Sequence, residues 1–132
     1  MNNAIEKVVE ILRERGYRVT APRISVLAEL LRVKQPQTIS DLAQKVDADE
    51  ASVYRTVRVL EEEGFVESIR LPQRSTTYAF ADSHHHHLVC NKCERVVHIP
   101  CNEHGLKTPR HPDFKEVCSH EVMFYGRCKS CA

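Results

Sequence analysis

Apolar residues in the first half of the chain recur with helical spacing. Ile5, Val8, Val9 and Leu12 fall at i, i+3, i+4 and i+7, which predicts a helix over residues 3–15 that stops at Gly16. Thr20 can cap a second helix that tolerates Pro22 in its first turn and carries Ile24, Leu27 and Leu31 inward. Pro36 separates it from a third, where Ile39, Leu42, Ala43 and Val46 repeat the spacing. Asp49 caps a fourth over residues 50–63, ended by Gly64. The pattern then changes to that of strands. Residues 65–70 and 76–80 read as two strands joined by a turn over 71–75. Helices followed by a β-hairpin are the order of a winged helix-turn-helix.

A second pattern is one of segregation. Every cysteine and every histidine lies at or after His84. This places a boundary near Ala81 to Ser83 and predicts two units, 1–82 and 83–132. In the second, residues 84–89, 95–99 and 120–125 read as strands. The fold class expected is α+β, a winged helix-turn-helix followed by a small α/β domain.

Length and charge narrow the function. A chain of 132 residues permits one ordinary domain or two small ones, and small ones often need a metal or a partner chain as a staple. The net charge of +1 requires any positive surface to be local. No apolar run is long enough to span a bilayer, and the first residues lack the pattern of a signal peptide. The expectation is a cytoplasmic protein without a membrane partner. Thiols stay reduced there, so the six cysteines read as metal ligands before disulfides.

Three constellations carry chemistry. Cys90-x-x-Cys93 and Cys128-x-x-Cys131 can each turn two thiolates toward one ion, and together they complete the closed tetrahedron of a structural zinc. On an extended His84–His87 run, alternate rings face opposite ways, so one strand can feed two metal sites. His85 and His87 would share one face, where His98 is a candidate partner. His84 and His86 would share the other, with His120 as a candidate and Glu103 and His104 nearby. Cys101 and Cys118 stay unassigned; each reads as a small buried residue before a ligand, but either could enter a sensor site. In the fourth helix, Val53, Val57 and Leu60 lie on one side; Arg55 and Arg58 lie on the other, with Tyr54 and Ser52 available to phosphate. An N-terminal half of this kind suits insertion into a major groove.

Several segments together resemble the ferric-uptake-regulator family. Gly16-Tyr17-Arg18-Val19-Thr20-Ala21-Pro22-Arg23 resembles its opening motif, and Ala51-Ser52-Val53-Tyr54-Arg55-Thr56-Val57 with Leu60, Gly64 and Val66 resembles its recognition helix. His84 to Cys93 and Gly126-Arg127-Cys128-Lys129-Ser130-Cys131 resemble its central and terminal metal motifs. The resemblance implies a homodimeric, metal-dependent repressor that binds double-stranded operator DNA through Arg23, Tyr54, Arg55 and Arg58; Ser52, on the same side of the fourth helix, and Arg18, in the opening motif, are further candidates. It also implies that Glu67 supplies a carboxylate to the regulatory set His85, His87 and His98, as in zinc-sensing members, and that His120 is a ligand of the second set.

The chain departs from the family at informative places. His98 stands where an acidic ligand is usual, and residues 35–38 lack the histidine that iron and peroxide sensors use near the third helix. Replacing an acidic oxygen by imidazole moves a site toward borderline metals. The expected cofactors are therefore a structural zinc and a second divalent metal, with zinc ahead of iron, nickel and manganese. Segment 101–114 is short and holds Gly105, Pro109 and Pro112, which predicts a short or broken version of the family's helix there. No H-E-x-x-H pattern or open catalytic metal position is evident, so no enzyme activity and no small-molecule substrate are expected. The alternatives are an iron-, nickel- or peroxide-responsive member, or a metal buffer that does not bind DNA.

Overall fold

The computed structural model describes residues 3–81, 84–101 and 107–132. The chain divides into two compact units, Met1–Asp82 and Ser83–Ala132.

The first unit runs α1 (Asn3–Glu14), α2 (Ala21–Arg32), β1 (Gln37–Thr38), α3 (Ile39–Lys45), α4 (Glu50–Glu62), β2 (Val66–Ile69) and β3 (Thr77–Phe80). Its local signals act where elementary chemistry places them. Thr20 caps α2 by accepting from the Arg23 N–H, and Asp49 caps α4 by accepting from Ser52 N–H at 2.7 Å. After α1 and α4 the chain turns through Gly16 (φ 86°) and Gly64 (φ 82°). In each case the following N–H returns to the helix, Tyr17 to Leu12 O and Phe65 to Leu60 O, both at 2.9 Å. Tyr17 Oη also donates to Glu63 Oε1 at 2.9 Å, which fastens the ends of α1 and α4 together.

α4 packs against α2 and α3, and the core forms where they meet: Leu27, Leu30, Leu42, Val53, Val57 and Leu60 are all buried. In α2 the buried apolar set is Val26, Leu27 and Leu30, while Ile24 and Leu31 are only partly covered. Contact with α1, α3 and α4 together broadens the buried stripe beyond one helical face.

The sheet has strand order β1-β3-β2, all antiparallel. β1 has only Gln37 and Thr38, too few residues to display any period. Thr38 serves two elements at once. It pairs with Thr77 and also caps α3 through a reciprocal box with Asp41. Asp41 further accepts from the guanidinium of Arg74, which ties the hairpin turn to the start of α3.

The second unit contains β4 (His85–Cys90), β5 (Val96–Pro100) and β6 (Met123–Gly126), followed by a 3-10 turn at Lys129–Cys131. β4 is central, antiparallel to β5 and parallel to β6. The third strand begins at Met123 and not at His120. Ahead of it the Val122 N–H is diverted to the ring of His86. Residues 107–122 carry no helix or strand. The short helix expected over 101–114 falls partly on residues 102–106, which lie outside the described residues.

Candidate metal centres and nucleic-acid interface

Cys90 ends β4, and a tight turn brings Cys93 back toward it. The Glu94 N–H donates to Cys90 O at 2.9 Å, and Glu94 itself turns at φ 63°. Cys128 and Cys131 flank the terminal 3-10 turn, with the Cys131 N–H on Cys128 O. The ligand atoms of Cys90, Cys93, Cys128 and Cys131 all lie within 4.8 Å of one another. Cys93 Sγ and Cys128 Sγ are 3.7 Å apart. At a Zn–S length of ~2.3 Å a tetrahedron has edges of about 3.8 Å, so the four thiols fit a zinc ion. The Cys128 N–H donates to Cys90 Sγ at 3.4 Å. That N–H, with those of Cys93 and Lys92, lowers the Cys90 pKa to about 5. Cys131 is pushed up to about 12, chiefly by its hydrogen bond with Cys128 and then by burial. Without metal the cluster thus holds its first negative charge readily and resists further ones.

The histidine run divides its rings between two places. On one side of β4, His85 stacks on His98 with centroids 4.0 Å apart, and His87 meets His85 and His98 edge-on at 4.9 and 5.5 Å. The register explains the convergence, because His87 pairs directly with His98 across β4 and β5. Glu67 lies on β2 of the first unit.

On the other side, His120 Nε2 is 3.1 Å from His86 Nε2 and 3.2 Å from His84 Nε2. Cys101 Sγ completes this group at 3.3 Å from His120 Nε2. Glu103 and His104, the acidic and imidazole candidates near this group, lie outside the described residues. Cys101 is the ligand candidate that sequence reasoning leaves unassigned. As a single cysteine outside any C-x-x-C pair, it has only its position just after a strand to mark it. The Val122 N–H donates to His86 Nδ1 at 3.2 Å and so orients the ring. In the neutral ring the proton then sits on Nε2. A metal binding there displaces that proton, to solvent or to Nδ1 at the expense of the Val122 contact.

In the first unit, the outer side of α4 presents Tyr54, Arg55 and Arg58 to solvent, with Ser52 half-buried beside them. Arg55 Nη2 donates to Ser52 Oγ at 3.2 Å, and Arg58 pairs with Glu62 at 3.6 Å. Arg18 is exposed, and its carbonyl accepts from Arg23 Nη1 at 2.9 Å, so part of the Arg23 guanidinium is committed to holding the loop before α2.

Residues 14–123 match the model of the ferric uptake regulator family. The chain belongs to this family. It is accordingly a metal-responsive regulator, a DNA- and metal-binding repressor by family membership. Among ferric uptake regulator relatives, the peroxide operon regulator of Bacillus subtilis is 27% identical over 135 residues, covering 97% of this chain and 93% of that protein. The Helicobacter pylori ferric uptake regulator, a structure that reveals three functional metal binding sites, matches with a TM-score of 0.70 at 21% identity, over 97% of this chain and 91% of that one. The peroxide-sensing PerR of Streptococcus pyogenes matches with a TM-score of 0.57 at 24% identity, over 99% and 95%. These two structural likenesses concern the fold, which is that of a winged helix-turn-helix with a C-terminal metal-binding domain. No helix among the described residues is long and apolar enough to cross a membrane.

Proposed function

We propose that this regulator is a zinc-responsive repressor that acts as a homodimer on operator DNA in the cytoplasm, with no catalytic activity. The carrying observation is the donor set formed by His85, His87 and His98, three imidazoles brought together on β4 and β5. Three neutral nitrogens suit zinc better than they suit manganese or ferrous iron, which favour oxygen-rich shells. The first unit contains no histidine, so it cannot complete an imidazole-rich iron shell. Glu67 is the proposed fourth ligand, on the strength of its place in the sequence. Metal held by the histidines would recruit this carboxylate and favour the arrangement that presents two recognition helices to two half-sites.

Arg18, Arg23, Ser52, Tyr54, Arg55 and Arg58 are the proposed DNA contacts. Guanidiniums at the middle of α4 can reach base edges, and those before and early in α2 can reach phosphate. The four-cysteine zinc is structural in this reading, since a closed thiolate shell leaves no position to exchange.

The names of the sequence relatives favour a second reading, peroxide-responsive repression. Fluorescence anisotropy separates the two. Protein retaining only its four-cysteine zinc is titrated onto DNA from upstream of its own gene, at fixed salt and buffered free zinc, nickel, manganese or ferrous iron. Zinc should tighten binding about tenfold or more, ~1.4 kcal/mol, and Glu67→Ala should abolish the gain. Tightening by ferrous iron or manganese that hydrogen peroxide then reverses would establish the second reading. Equal binding with and without every metal would overturn both.

A further inference from the structure

We propose that Cys101 makes the second histidine cluster a three-imidazole, one-thiolate site for a borderline cation such as zinc. The metal would clamp both ends of the connection between β5 and β6. This inference stands apart from the sensing role proposed for His85, His87 and His98, and it uses none of those residues.

The argument begins with spacing. The ligand atoms of His84, His86, Cys101 and His120 all lie within 4.8 Å of one another. The nitrogen pairs at 3.1 and 3.2 Å and the sulfur–nitrogen pair at 3.3 Å approach the edges of a tetrahedral zinc shell, about 3.3 Å for N–N and about 3.6 Å for N–S at ordinary bond lengths. The four side chains come from three separated stretches, the start of β4, the residue after β5, and the approach to β6. Contacts this close among four ligating groups from distant parts of the chain are hard to explain as ordinary surface packing. His86 is buried at 1% exposure, whereas His84 and His120 are exposed. Holding a metal on Nε2 moves the ring proton to Nδ1 and gives up the Val122 contact, so burial and not that hydrogen bond keeps the ring in place. The cluster therefore has one buried anchor and an open side through which an ion can enter.

Cys101 decides which ion. Three imidazoles and a carboxylate would admit manganese and ferrous iron, but a thiolate in the fourth position favours zinc and cobalt over those harder ions. Cys101 and His120 also bracket the connection between the strands. A metal holding both would close that connection as a loop and lower the freedom of its ends.

Cobalt(II) is the probe, used on the full chain with its four-cysteine site kept filled by zinc. Tetrahedral cobalt should appear with a thiolate-to-cobalt charge-transfer band of roughly a quarter the intensity of a four-thiolate site, because one Co–S bond replaces four. The band should vanish in Cys101→Ser, persist in Cys118→Ser, and be chased by zinc but not by manganese. His84→Ala, at an exposed position, keeps three donors and should retain the band with weaker cobalt affinity, by more than the roughly 10–100-fold that loss of a ligand's hydrogen-bond partner costs. It serves as the second variant if Cys101→Ser fails to fold. Zinc should also slow trypsin cleavage after Lys107, Arg110 and Lys115 in the wild type and not in Cys101→Ser. A band that survives Cys101→Ser, or none in the wild type, overturns the proposal. Operator binding is not read in this test, so the zinc-sensing reading can fail without affecting it.

Discussion

Cys93 and Cys128 lie 35 residues apart in the chain, and their sulfur atoms are 3.7 Å apart. The two C-x-x-C turns thus meet across the end of the second sheet, where β6 pairs with β4 up to Cys90 and Gly126. A metal at this point links the final turn to the central strand. Cys93→Ser or Cys128→Ser should cost the chain one equivalent of zinc and loosen β6. Mass spectrometry under native conditions reads the zinc, and amide exchange at residues 123–126 reads the strand. Unchanged zinc content in both variants would remove the structural role assigned to this cluster.

The same cluster makes a pH prediction. The Cys90 pKa is lowered to about 5 by the N–H groups of Cys128, Cys93 and Lys92. Against an ordinary thiol value of ~8.5 this is a depressed group, so its contribution to folded-state stability is full above ~8.5 and is lost as pH falls through the folded value. For zinc binding, the Cys90 proton is already gone at neutral pH, while that of Cys131, raised to about 12, must be expelled. Apparent zinc affinity should therefore fall as pH falls. Its slope against pH should steepen by about one proton below the Cys90 value. Chelator competition across that range measures the slope, and Cys90→Ser should show no such break.

Much of this arrangement is legible in the residue pattern, for physical reasons. α4 is readable because Val53, Val57 and Leu60 are buried on one side while an Asp49 cap and Gly64 mark its ends. The two-sided use of β4 follows from alternation along a strand, and the four-cysteine set follows from paired spacing. β1 is not legible, because a two-residue strand exists only through its pairing with Thr77 and Tyr78. Cys101 is not legible either. Alternation along the strand announces His84 and His86, but no local spacing announces that folding brings Cys101 to them. The start of β6 lies later than the residue pattern predicts because His120 and the Val122 N–H are drawn toward His86.

On the DNA side, Arg55 and Arg58 should differ. Arg55 leans on Ser52 near the start of α4, while Arg58 is paired with Glu62 a turn further on. Arg55→Ala should weaken operator binding by about 1–3 kcal/mol and relax preference at one base position if it reads a base edge. Arg58→Ala should weaken binding to all sequences alike and reduce the salt slope by about one if it meets phosphate. Anisotropy titrations at several salt concentrations, on operator and scrambled DNA, distinguish these patterns. No loss in either variant would exclude this face of α4 as the reading surface.

The opposite face of α4 should respond in stability and not in recognition. Leu60 is 1% exposed and packs in the core beside Val57, and its carbonyl receives the Phe65 N–H that ends the helix. Leu60→Ala removes buried apolar volume and should cost about 2–5 kcal/mol in urea unfolding. Glu62→Ala, near the same helix end, removes only a surface partner of Arg58 and should change stability by less than about 1 kcal/mol. Metal-loaded Leu60→Ala protein, assayed well below its lowered midpoint, should still bind operator within a few-fold of wild type. A large loss of DNA affinity with unfolding stability intact would instead place Leu60 at the interface, contrary to its burial.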